Sequence, residues 1–139
     1  MRWKSGLIPL LVLAMSSAAS SDVRAADAQD CSRFVDEVTA RRCAERAAQV
    51  AQEELRQAED SVRIRIKQWD EDQNWKQRAI QQFERSVAAF RDFQTAACDF
   101  DASAAAGGNA AGQMRNVCLT RLAKERIRTL TEQRSWFSK

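Results

Sequence analysis

Residues 44–69 read AERAAQVAQEELRQAEDSVRIRIKQW. Apolar side chains recur there at Ala44, Ala48, Ala51, Leu55, Ala58, Val62, Ile66 and Trp69. Steps of three and four residues keep these positions on one stripe of a helix that turns once in about 3.6 residues. Alanine fills the first half of the stripe, so a neighbouring helix can approach closely there. Val62, Ile66 and Trp69 bring bulk to the other half. Asp36 is the expected N-cap, because a carboxylate there can accept from an amide the helix leaves unbonded. Glu37 with Arg41, and Glu59 with Arg63, stand four residues apart and read as surface pairs along the same rod.

The polar run Asp70-Glu71-Asp72-Gln73-Asn74 interrupts the pattern. Asp70 with Gln73 has capping-box spacing, and Asp72 is a second cap candidate. A second stripe follows at Ile80, Phe83, Val87, Phe90 and Ala97, with Trp75 and Phe93 beside it. At helical spacing these aromatics read as core, and the stripe predicts a helix to about Cys98. Residues 99–112 show little period, and Gly107-Gly108 breaks a helix, so this stretch reads as a loop. A third helix is predicted from about Gln113 to Ser135. Its apolar face carries Leu119, Leu122, Ala123 and Leu130, flanked by Cys118 and Ile127. Three long helices with short connections predict an all-α fold, an up-down-up antiparallel three-helix bundle.

Upstream of the bundle, Arg2 and Lys4 precede an apolar run from Leu7 to Met15, and Val23-Arg24-Ala25 fits a small-residue cleavage rule. Residues 1–25 therefore read as a signal peptide, leaving residues 26–139 as a single helical domain. The apolar run is too short to span a bilayer stably, and no later segment is long enough, so no membrane span is expected after cleavage. The expected address is periplasmic or secreted. In such an oxidising compartment Cys31, Cys43, Cys98 and Cys118 are expected to form two disulfides that staple the bundle. In one unbroken helix Cys31 and Cys43 would stand about 18 Å apart, so a bond between them needs the turn that the Asp36 cap supplies. Cys98 and Cys118 flank the Gly-Gly segment. An up-down-up course gathers all four near one end, so all three pairings stay open, with Cys31–Cys43 and Cys98–Cys118 favoured.

The whole chain holds 22 basic and 19 acidic residues, a formal charge of +3. Cleavage after residue 25 would remove three basic residues, Arg2, Lys4 and Arg24, and one acidic residue, Asp22, leaving +1. A near-neutral, sign-mixed surface argues against a nucleic-acid partner. The absence of histidine excludes a Ser-His-Asp triad, a Cys-His pair and a histidine-ligated zinc. The cysteines lack the close pairs of a thiolate metal site and of a Cys-x-x-Cys redox centre. No catalytic residue, metal or cofactor is expected, and the chain reads as a binding protein and not as an enzyme.

Cys98-Asp99-Phe100-Asp101-Ala102, Gly107-Gly108-Asn109, Met114, Cys118-Leu119-Thr120-Arg121-Leu122, Glu125-Arg126 and Leu130 together resemble the LprI-type lysozyme-inhibitor family. Asp36 to Ala44 is similar to the start of that family's first helix, and Phe90 and Phe93 to aromatic positions of its second. Phe90 stands where the family often has tryptophan, and Arg91-Asp92 precedes Phe93 where the family's Arg-Asp pair usually follows. The resemblance covers residues 31 to about 130. It implies a small exported helical domain whose protein partner is a lysozyme, bound so as to occlude the enzyme's cleft. The alternative is a structural or interaction module of the cell envelope with another protein partner.

The segment 99–112 is the first candidate surface for partner binding. Asp99, Asp101, Ser103 and Asn109 could offer acceptors to a donor-rich cleft. Trp136 and Phe137 are the second candidate, either covering the bundle end or forming an exposed apolar patch. Arg126 lies on the apolar side of the third helix and reads as a structural charge, its stem buried or its head paired with a carboxylate such as Asp92.

Overall fold

The computed structural model describes Cys31 and residues 33–137, so the expected signal peptide lies outside the described residues. Three helices follow in order: α1 Glu37–Gln68, α2 Gln73–Ser103 and α3 Ala110–Arg134, the last running into a short 3-10 turn, Ser135–Phe137. α1 and α3 run parallel, with α2 antiparallel to both. α3 packs along α1 and along α2, while α1 and α2 touch each other sparingly. Cross-helix bonds set the register. Glu59 and Arg63 of α1 meet Arg91 and Glu84 of α2, and Arg134 of α3 donates to Ser61 of α1 at 2.9 Å.

The stripes meet as the period predicts. Ala51, Leu55, Val62 and Ile66 of α1 enclose a core with Phe83 and Val87 of α2 and Ala123 and Leu130 of α3. Each large side chain buried there contributes about 1.5–3 kcal/mol relative to exposure. Ala44, Ala47, Ala48 and Ala51 are all buried, so the small half of α1 gives close approach instead of bulk. Trp75 and Phe93 depart from the expectation. They stand 56% and 57% exposed, because a three-helix bundle leaves one flank of α2 without a neighbour.

The caps decide where the rods start. Asp36 accepts from the Thr39 amide at 2.8 Å and opens α1. Asp72 accepts from the Asn74 amide at 2.7 Å and opens α2, so the Asp70–Gln73 capping box is replaced by its neighbour. α2 continues to Ser103 and α3 starts at Ala110, which shortens the expected 99–112 loop to residues 104–109. Residues 99–106 carry neither glycine nor proline, so nothing stops the helix until Ala106 and Gly107 turn left-handed at φ 48° and 78°.

Both favoured disulfides form. Cys31–Cys43 closes the start of α1 with Cα atoms 5.6 Å apart, and Cys98–Cys118 ties α2 to α3 with Cα atoms 5.4 Å apart. The expected Glu59–Arg63 pair does not form. Glu59 points inward to Arg91, and Arg63 binds Asp60 at 2.8 Å and Glu84 at 2.6 Å. Among the described residues no helix is long and apolar enough to cross a membrane.

Candidate interaction surface

The end of α2 and the start of α3 are pinned to each other from below. Cys98 and Cys118 are buried in their bond, with Leu122 packed against them and Phe90 at the margin. Gln94, also buried, donates to the Leu119 carbonyl at 3.3 Å. A disulfide and a side-chain-to-backbone bond one turn apart along α2 hold the two rods at a fixed separation. Outside this floor a cleft of about 710 Å³ opens between them.

The walls of the cleft are apolar and its rim is charged. Phe100, Ala104, Ala110, Met114 and Val117 line it, with Asp101 and Arg121 among the polar groups. Phe100 is 77% exposed and Met114 36%. Phe93, seven residues before Phe100, falls within about 20° of it around the helix and extends the same apolar flank. Large apolar side chains exposed together at one place are characteristic of interaction surfaces.

The structure revises the acceptors read from the sequence. Asp99 and Asp101 lie on α2 instead of a loop, and each already meets an arginine of α3. Arg115 Nε donates to Asp99 Oδ1 at 2.7 Å, and Arg121 Nη2 reaches Asp101 Oδ2 at 3.5 Å. Ser103 Oγ donates to the Phe100 carbonyl at 2.6 Å. Asn109 sits exposed at the cap position of α3 and makes no side-chain capping bond. This end of the bundle therefore presents neutralised ion pairs around an apolar ridge, not a row of open carboxylates.

Arg126 does not bind Asp92. Its Nη2 donates to Ser86 Oγ at 2.9 Å, and its guanidinium lies over the Phe90 ring, 5.5 Å from the centroid. Asp92 follows Phe90 by two residues, about 200° around the helix, and faces solvent. At the opposite end of the bundle the pair Trp136-Phe137 divides. Phe137 meets Trp69 edge-on with centroids 5.2 Å apart and covers the end of α1, while Trp136 stays 67% exposed.

Phe93, Phe100 and Met114 carry the apolar ridge; Phe100 falls within the segment 99–112 that the sequence marks as a partner surface, whereas Phe93 reads there as core and Met114 carries no binding role. Their signal was present. Phe93 and Phe100 share a flank that the main stripe of α2 does not use. Among the described residues no group of three or more Cys, Asp or Glu side chains is placed to hold a metal ion. Residues 31–130 match the family model described as Lysozyme inhibitor LprI. No curated protein and no solved structure matches the chain.

Proposed function

This chain belongs to the LprI lysozyme-inhibitor family, and from that premise we propose that it binds a lysozyme through the α2–α3 cleft and blocks the enzyme's own cleft. The observation that carries the reading is the 77% exposure of Phe100 on a helix end held by a disulfide. A large aromatic on a rigid support loses little conformational entropy on association, which is the behaviour of an interface anchor. The action is steric and uses no chemistry of the inhibitor's own. Two disulfides suit an oxidising compartment and support a periplasmic or secreted address. The test is lysozyme turnover on cell walls with the purified, oxidised protein. A stoichiometric dose reduces turnover on this reading; unchanged turnover at large excess rejects it.

Trp136 favours a second reading, an envelope interaction module with a different protein partner. Its indole is 67% exposed and far from the cleft. Capture of a partner other than lysozyme, lost on Trp136→Ala and kept on Phe100→Ala, would establish it.

A further inference from the structure

We propose that Arg121 is the side chain that meets the paired catalytic carboxyl groups of the bound lysozyme. The inference rests on the reading above and names the atoms of its central contact. Among the described residues, Arg121 is the one arginine lining the cleft between α2 and α3, alongside Phe100 and Met114. Its side chain is 51% exposed.

The distances separate Arg121 from the other arginine at this end of the bundle. Arg115 donates to Asp99 at 2.7 Å, within the range of about 2.7–2.9 Å for a full charge-assisted bond. Arg121 lies 3.5 Å from Asp101, 3.7 Å from Glu125 and 3.9 Å from Cys118 Sγ. All three contacts are long. Asp101 and Glu125 keep the guanidinium at the rim without saturating it. A guanidinium has five N–H donors, so it can take a new acceptor while keeping these neighbours.

The partner's chemistry supplies that acceptor. Lysozyme cleaves its glycan between two carboxyl groups, so its cleft is locally anionic whatever the charge of the whole enzyme. The planar fork of an arginine matches a carboxylate in two hydrogen bonds. Phe100 and Met114 beside it would exclude water on docking and so strengthen the attraction. This reverses the polarity expected from the sequence. Asp101 and Glu125 position an arginine, and the arginine makes the contact.

The test measures binding and inhibition of a two-carboxylate, retaining lysozyme by the native chain and by Arg121→Ala, Arg121→Lys and Arg115→Ala. Each variant is first checked for native helix content and melting. Arg121→Ala is expected to weaken binding at least ~30-fold, the scale of truncating one partner of a desolvated charge pair. Arg121→Lys should fall between, and Arg115→Ala should bind like the native chain. Binding is then repeated on a lysozyme whose two catalytic carboxyl groups are replaced by amides. There the native chain should lose its advantage over Arg121→Ala. A folded Arg121→Ala that binds as tightly as the native chain overturns the proposal, as does an equal loss against both forms of the enzyme. A native chain that neither binds nor inhibits defeats the underlying reading as well, so the two failures are told apart.

Discussion

Glu59 of α1 and Arg91 of α2 meet at 3.1 Å, with the carboxylate side chain 2% exposed and the arginine 59% exposed. One oxygen of Glu59 accepts from Arg91, and the other is buried without a protein partner. The hydrogen-bonded ion pair of Glu59 thus rests on one half-solvated group on the helix that α1 touches least, with Arg63 acting on it only through the longer-range field. Replacing Arg91 by methionine strands a buried carboxylate and should cost about 3 kcal/mol. Adding Glu59→Leu removes the stranded charge and should recover most of that loss. Denaturant unfolding with the disulfides intact checks both. Simple additivity of the two losses would show that the ion pair does not couple them.

Two glycines near the α2–α3 turn should respond in opposite directions. Gly107 has φ 78°, and nothing lies within 4 Å of an added Cβ. Gly107→Ala should therefore lose about 1–2 kcal/mol from backbone strain alone. Gly112 lies within α3 and also has open space around a Cβ. Gly112→Ala should gain about 0.5–1 kcal/mol from helix propensity. Thermal melts of the two single variants decide the matter.

The disulfides should separate stability from binding. Removing either pair by alanine replacement is expected to cost about 3 kcal/mol on the chain-entropy account. Cys98–Cys118 also forms the floor of the cleft. Its loss should weaken lysozyme inhibition in protein that still folds. Loss of Cys31–Cys43, which closes the start of α1, should leave inhibition unchanged.

Acid should weaken the fold in a defined window. The hydrogen bond from Arg63 holds the Glu84 carboxyl below its ordinary value of 4.5. Hydrogen bonds from Thr39 hold Asp36 below 3.8. A group whose folded pKa is depressed contributes stability above its unfolded pKa and loses it as pH falls through the folded one. Stability should therefore decline as pH drops below about 4.5, the ordinary Glu84 value. Glu84→Gln should make that decline shallower and lower stability at neutral pH. Unfolding curves collected from neutral to strongly acidic pH read the slope directly.

Much of this molecule was legible in its sequence because the stripe of α1 keeps to steps of three and four, and because Asp36 supplies the turn that lets Cys31 reach Cys43. What periodicity does not reveal is which face finds a neighbour. Trp75 and Phe93 lie close to the stripe of α2, yet both are exposed, since three rods leave part of α2 uncovered. The end of α2 was hidden for a related reason. Residues 99–103 are helical but solvated, so no core stripe marks them, and the backbone turns only at Ala106 and Gly107. Asp99 with Arg115, and Asp101 with Arg121, are paired by the register of two antiparallel helices. That register is set by the length of the turn, which lack of period places at 99–112 and the structure confines to 104–109. Arg126 illustrates the same limit, because Ser86 and Phe90 lie on its side of α2 and Asp92 does not.

The most direct test of the proposed interface is amide hydrogen exchange of the native, oxidised protein with and without a saturating amount of lysozyme. The account predicts slowed exchange confined to the end of α2, the turn and the first turns of α3, around Phe100, Met114 and Arg121, with the region of Trp136 unchanged. Protection centred on Trp136, or none around Phe100 in a demonstrated complex, would contradict it.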